Sequence, residues 1–346
     1  MPQHLLFLVH GMGVHPTNWS VGTVNLLKEK YDGFPDLKAL PFDQRFTIVE
    51  IAYDKIFEDI RIQWKDQSAA ILKVMSSNGL DDDFIKKLVD AGQAPSTDNF
   101  LWTHVLDVLL YRFVPTVCMA VRVTVADQIM QKLVSNTGGE LPSWSVLAHS
   151  LGTSVAHDTL NDLYHTAIPG RPNLFLSTGD TSAELVMMVA NVSKVLETSP
   201  VYSSYVRPGK TTLPDRVCRY YFSVAHRRDP FTWFKSFDPP APWPDVASSG
   251  NFKALLVRHI LDWNVHDLDH YLKGPQVHIP LFRYLAGPDC ISEKEEADAI
   301  KNFVDEWQAG PWAKIDEVLE NVLPHQNGSW SELFSSLLKY GSLISE

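Results

Sequence analysis

Apolar residues along the chain gather into short runs separated by longer stretches of mixed polarity. Residues 4–10 (HLLFLVH) form the first run and lead directly into glycines. Residues 46–53 (FTIVEIAY), 144–149 (WSVLAH), 184–190 (ELVMMVA) and 219–225 (RYYFSVA) follow, with 252–260 (FKALLVRHI) as a weaker sixth. Runs without polar alternation are what strands buried on both faces require. Residues 150–164, just after the third run, carry helical spacing instead. Strands alternating with helices predict an α/β protein, with a short, mostly parallel sheet of about six strands covered by helices on both sides.

One connection is too long for this scheme. Ninety residues (54–143) separate the second and third runs, where a parallel crossover needs about a dozen or more. The surplus predicts an inserted helical cap. Its first part, 54–92, reads as amphipathic helices broken at Asn78-Gly79, and 93–98 (QAPSTD) reads as a loop. Residues 100–134 then read as a very apolar helical region interrupted by Pro115. Beyond residue 287 the pattern turns to polar amphipathic helices, for instance 293–307 and 330–343. The expected organisation is one domain over residues 1–290, with the cap at 54–143, and a helical extension at 291–346 packed on the same domain.

Composition narrows the picture. A net charge of −11 excludes the basic face of a nucleic-acid binder. Cys118, Cys218 and Cys290 are scattered and suit a reducing compartment better than a disulfide framework. The start, MPQHLLFLVHG, shows neither a basic leader nor a small-residue cleavage site. The most apolar long stretch, 105–121, contains Asp107, Arg112 and Pro115, which makes it a poor membrane span. A cytoplasmic location is expected, with at most transient lipid contact, and glycosylation patterns at Asn18, Asn191 and Asn327 are then accidental. The 13 histidines show no metal-ligand spacing. No metal or cofactor is expected, and nothing bears on oligomeric state.

The chemistry concentrates at strand ends. Ala148-His-Ser150-Leu-Gly152 follows the third run and opens a helix. A strand turning sharply into a helix crowds the positions two before and two after the serine, and Gly or Ala leaves room there. His10-Gly11-Met12-Gly13 ends the first run, where glycines let backbone N–H groups approach a reacting carbonyl. These motifs nominate Ser150 as a nucleophile, with the amides of Met12 and Leu151 as oxyanion donors. His10 and His149, which flank the site, are expected to orient the loop and the elbow.

With these motifs the chain resembles the α/β-hydrolase lipases and esterases over residues 4 to 285. HSLGT followed by Asp158, and LDVLLY at 106–111, are loosely similar to DDHD-type intracellular phospholipases and GPI inositol-deacylase-like lipases, although the DDHD segment is absent. The resemblance implies the α/β-hydrolase fold, begun at the family's third strand and therefore short. It also implies an acid and then a histidine after the serine. Asp229, held by Pro230 just past the fifth run, resembles the family's acid position, with Asp215 and Asp238 as rivals. Of His266, His270 and His278, His270 is favoured as base because His-Tyr ahead of a helix resembles the family's histidine site.

Aromatic and apolar residues after Asp229 (Phe231, Trp233) and in the cap (Trp102, Leu110, Tyr111, Phe113) are candidate walls of an apolar pocket. The expected activity is hydrolysis of small-molecule or lipid carboxylic esters with apolar groups, as by a carboxylesterase or lipase. The alternatives are an acyltransferase or thioesterase with the same triad, and a non-catalytic binding protein of this fold.

Overall fold

The computed structural model describes residues 4–82, 84–86, 101–135, 141–165, 168, 171, 174–179, 181–197, 206–209, 216–239, 243 and 250–344. Each of the six apolar runs contributes a strand: β1 (His4–Val9), β2 (Phe46–Ile51), β3 (Trp144–His149), β4 (Ala183–Val189), β5 (Cys218–His226) and β6 (Phe252–Val257). They form one sheet in the order β2-β1-β3-β4-β5-β6. Every neighbouring pair is parallel, where only a mostly parallel sheet was expected. The registers Val9↔Ile51 and Val9↔Ala148 align the carboxyl ends of the three strands on one edge.

The chain moves from β1 outward to β2, then crosses back to add β3 on the other side of β1. That reversal opens a crevice at the carboxyl ends of β1 and β3, the place where open α/β sheets bind ligands. The glycine turn after β1 and Ser150 after β3 both lie there.

Eleven helices are labelled here: α1 (Val21–Asp32), α2 (Asp54–Ile62), α3 (Trp64–Ser77), α4 (Leu106–Phe113), α5 (Pro115–Ser135), α6 (Leu151–His165), α7 (Leu268–Lys273), α8 (Pro275–Ala286), α9 (Glu293–Ala309), α10 (Trp312–Glu320) and α11 (Trp330–Ile344). Alternate residues of each strand enter opposite layers. Leu5, Phe7 and Val9 pack with apolar side chains of α2 to α6 and of α11. Leu6 and Leu8 pack with α1 and α8, through Leu27, Tyr31, Val277, Leu281 and Phe282 among others. Burial on both faces explains why the central strands are largely apolar, while the edge strands β2 and β6 carry Glu50 and Lys253.

The described helices of the long insertion share the core of the sheet. On α5, Val117, Val121, Val125, Ile129 and Leu133 repeat every four residues and bury as one stripe. This helix packs against α6 and β2, and so supplies the crossover between β2 and β3. Helix α4 is buried almost entirely and belongs to the same core as the sheet. Pro115 breaks the apolar stretch, and α4 meets α5 at 98°. Among the described residues no single helix is long and apolar enough to cross a membrane. Helix α3 ends at the expected Asn78-Gly79, with Gly79 at φ +95°. The loop expected at 93–98 lies outside the described residues.

Helix α6 starts in contact with the end of β1. A Cβ on Gly152 would lie 2.1 Å from the His10 carbonyl oxygen and 2.7 Å from that of Val9. Backbone cannot rotate aside as a side chain can, so Gly152→Ala is expected to lower stability by about 3 kcal/mol or more. Urea denaturation measures this, and an unchanged midpoint would mean that the helix start is free to move away.

Candidate active site

The turn between β3 and α6 consists of Ser150 alone. Its φ of +53° is left-handed, a conformation costing a non-glycine residue about 1–3 kcal/mol. Neighbouring groups enforce it. The Ser150 N–H donates to the Val189 carbonyl at 3.0 Å, and the Ser150 carbonyl accepts from the Thr153 N–H at 2.8 Å and from its hydroxyl at 2.7 Å. The same hydroxyl oxygen accepts the Val192 N–H at 3.0 Å, tying the turn to the end of β4. Opposite, a Cβ on Gly11 would sit 2.9 Å from the Ser150 Cβ. The small residues of both motifs are therefore contact requirements.

Ser150 Oγ lies 2.7 Å from His266 Nε2, and His266 Nδ1 lies 2.7 Å from Asp229 Oδ2. Asp229 follows β5 and caps the short helical turn Pro230–Phe234 by accepting the Phe231 N–H at 2.9 Å. Tyr271 donates its hydroxyl to Asp229 at 2.7 Å. Burial alone would raise the Asp229 carboxyl. The nearby His266, its hydrogen bond and those from Tyr271 and the Phe231 N–H outweigh that and hold it below the ordinary carboxylate range. An ionised Asp229 can only accept, so His266 donates its Nδ1–H to it and leaves the Nε2 lone pair facing the Ser150 hydroxyl.

His266, and not the favoured His270, is the histidine beside Ser150 and Asp229. His270 lies inside α7, where its Nε2 accepts the Leu261 N–H at 3.1 Å, and it bonds neither Ser150 nor Asp229. The helix begins earlier than the His-Tyr reading supposes. Asp267 is its N-cap, so His266 is the residue left in the loop. An aspartate directly before an apolar helical stretch is the ordinary start signal, and it marks this boundary in the sequence. Tyr271, second residue of the His-Tyr pair, reaches the acid instead. His278 bonds the Leu272 carbonyl. Asp238 is exposed, and Asp215 lies outside the described residues.

His266 is fixed from several directions. Its carbonyl accepts from His149 Nε2 at 2.6 Å, and its N–H donates to the Tyr340 hydroxyl at 3.0 Å. Its ring stacks on Phe231 with centroids 4.3 Å apart. His149 thus orients the loop that bears His266. His10 stacks on Tyr53 and on His15, and its carbonyl accepts the Tyr53 hydroxyl at 2.6 Å.

Met12 lies in the glycine turn facing Ser150, and Leu151 is the first residue of α6. At that position the Leu151 N–H has no helical carbonyl to meet, and the Met12 N–H bonds no described residue. Both are thus available to an oxyanion. The next amide is occupied. Gly13, at φ +103°, donates to Asp107 at 2.9 Å, and Asp107 pairs with Arg61. Burial raises the Asp107 carboxyl to about 7 against the opposing pull of Arg61. A buried ion pair on α2 and α4 therefore sets the shape of the turn that carries Met12.

A cavity of about 350 Å³ opens over Ser150 and His266. Its walls come from His15 and Met12, from Thr23 of α1, from His104, from Asp269 of α7, and from Tyr340 and Ile344 of α11. Burial lowers His15 and His149 to about 3 and His104 to about 4, so they are neutral near pH 7. No lysine or arginine is among the described lining residues.

None of the six expected wall residues lines this cavity. Trp102 packs edge-on to Trp64, Leu110 is fully buried core, and Tyr111 donates to Asp158 at 2.5 Å. Phe113 meets the edge of Trp330, Phe231 supports the His266 ring, and Trp233 lies partly exposed beside Lys194 and Asn327. Their apolar density reflects a shared core with the sheet rather than a ligand wall. No protein-family model matches the chain, and no curated protein matches it.

Two stability predictions follow from the buried charges. Asp107→Ala removes the acceptor of both Arg61 and the Gly13 N–H, and is expected to cost about 3–5 kcal/mol in urea denaturation. The joint Arg61→Met, Asp107→Leu change should cost clearly less, and equal losses would show that the pair is not the cause. The histidines around the relay give a pH dependence. Burial holds His149 and His226 near 3 and His270 near 4, below the unfolded value of about 6.5. The unfolded chain therefore binds protons first, so stability is fully present above about pH 6.5 and falls as pH drops toward 4. Urea midpoints across that range should fall, less steeply for His270→Gln, and a flat profile would contradict the burial.

Proposed function

We propose that this chain is a serine hydrolase of the α/β-hydrolase fold that cleaves carboxylic esters, with Ser150 as nucleophile, His266 as general base and Asp229 as its orienting acid. One observation carries the reading: Ser150, on a left-handed turn at the switch point of the sheet, lies 2.7 Å from a histidine that is itself 2.7 Å from a buried aspartate. His266 takes the Ser150 proton as Oγ attacks the ester carbonyl. Asp229 stabilises the resulting imidazolium, and the amides of Met12 and Leu151 receive the oxyanion. Collapse expels the alcohol, which takes its proton from His266. Water, deprotonated by His266, then releases the acid and frees Ser150.

The cavity favours compact substrates. Its volume of about 350 Å³ lies at the small end of ligand sites, which run from about 300 to 1,000 Å³. Its walls are polar as often as apolar. A short acyl group on an uncharged ester fits this lining better than a long apolar chain does.

Fluorophosphonate labelling tests the chemistry. Ser150→Ala should abolish labelling and lower ester hydrolysis by about a millionfold. His266→Ala should be nearly as severe, whereas His270→Ala should retain most activity in the fraction that folds. Labelling that persists in Ser150→Ala, or activity lost with His270 and kept without His266, would overturn the assignment. Across p-nitrophenyl esters of two to sixteen carbons, kcat/KM should peak at two to four. A steady rise to long chains would refute the compact-substrate reading.

A further inference from the structure

Helices α10 and α11 follow every strand of the sheet, yet they touch the loops that bear Asp229 and His266. On the acid side, Asp316 of α10 accepts from Arg227 at 2.8 Å and from Arg228 at 3.0 and 2.9 Å, and Glu320 accepts from Arg228 at 2.9 Å. Arg227 and Arg228 immediately precede Asp229. The Arg228 and Asp316 side chains are only 11% and 14% exposed. On the base side, the Tyr340 hydroxyl of α11 donates to Asn264 at 2.9 Å and accepts the His266 N–H at 3.0 Å. Tyr340 is 1% exposed, and burial keeps its hydroxyl protonated far above neutral pH. Between these polar contacts, Ile260 and Val265 of the His266 loop bury against Ile315, Leu319 and Tyr340 in a cluster of their own.

We propose that α10 and α11 form a clamp that sets the acid and the base against Ser150, with Tyr340 and Asp316 as positioning residues. The proposal rests on the serine-hydrolase reading for its catalytic consequence. The placement of His266 is measurable without turnover. Both loops leave the sheet at its β5–β6 side, and the triad needs them to converge on the turn after β3. A carboxylate that gathers two adjacent arginines fixes the path of the chain into Asp229 more firmly than a single surface pair does, and the Arg228 contact is largely shielded from water. The Tyr340 hydroxyl and His149 hold the two peptide groups of His266 from opposite ends. That leaves the ring no backbone freedom with which to leave Ser150. Misplacement of a reacting group by about 1 Å costs up to about a hundredfold in rate.

Tyr340→Phe keeps the ring and its packing while deleting both hydrogen bonds, and Asp316→Asn keeps the size while weakening the arginine clamp. Leu337→Ala is the control, since Leu337 is core on α11 and lines no part of the cavity. Each is measured for kcat and KM on p-nitrophenyl acetate, for melting temperature, and for the far-downfield proton resonance of the His266–Asp229 hydrogen bond. Tyr340→Phe should lower kcat by about tenfold or more with KM within about twofold, and should shift or broaden the resonance. Asp316→Asn should do the same to a smaller degree, and Leu337→Ala should lower the melting temperature but leave kcat and the resonance in place. Should both clamp variants keep the native kcat and resonance, losing only melting temperature as Leu337→Ala does, the helices are plain support and the proposal falls. A native chain that fluorophosphonate does not label would instead overturn the hydrolase reading. The resonance would then still decide whether Tyr340 and Asp316 place His266.

Discussion

Helix α6 begins so close to the end of β1 that there is room for a hydrogen atom, and nothing larger, on Gly152. That approach decides the geometry of the whole edge. It allows the N-terminus of α6 to point into the crevice between β1 and β3, and it forces the connecting residue into a left-handed turn. Ser150 occupies the turn because its backbone is tied to β4 on one side and to Thr153 on the other. Had the helix stood further off, the serine could relax toward an ordinary conformation and turn its hydroxyl away from His266. Glycine at 11 and glycine at 152 are the same constraint met from two sides.

Two carboxylates are sealed inside this region, and the protein treats them oppositely. Asp229 receives donors from His266, Tyr271 and the Phe231 amide, enough to keep a charge in a dry setting. Asp107 has Arg61 and the Gly13 amide, yet burial still lifts it to about 7. The first is held below the ordinary carboxylate range by His266 and by the hydrogen bonds it receives. The second holds a turn of backbone and needs no charge of its own to accept a hydrogen bond. Number and kind of donors, more than depth, separate the two roles.

How much of this is legible in the sequence depends on how local each feature is. The central strands show themselves because burial on both faces leaves nearly unbroken apolar runs, and the half-buried edge strand β6 reads more weakly for the same reason. Ser150 and Asp229 are legible for a similar reason, as each is fixed by its immediate neighbours at a strand end. The histidine beside Ser150 is harder, because His266 and His270 differ only in which side of a helix boundary they occupy, and the mark of that boundary is a single residue, Asp267. The wall residues mislead because an aromatic side chain carries no label saying whether core or ligand will cover it. Leu110 and Phe113 share a core with α11, whose contribution no local pattern announces. The contact of Tyr340 with His266 spans 74 residues and has no signature in either segment.

That separation bears on how the molecule comes into being. Synthesis is vectorial, at roughly 5–20 residues per second, so the tyrosine emerges roughly 4 to 15 seconds after the histidine that it secures. During that interval the imidazole loop lacks one of its two backbone anchors. The ribosome thus delivers this anchor of the loop 74 residues after the histidine, and a chain cut short of Tyr340 would leave His266 unfastened at its N–H.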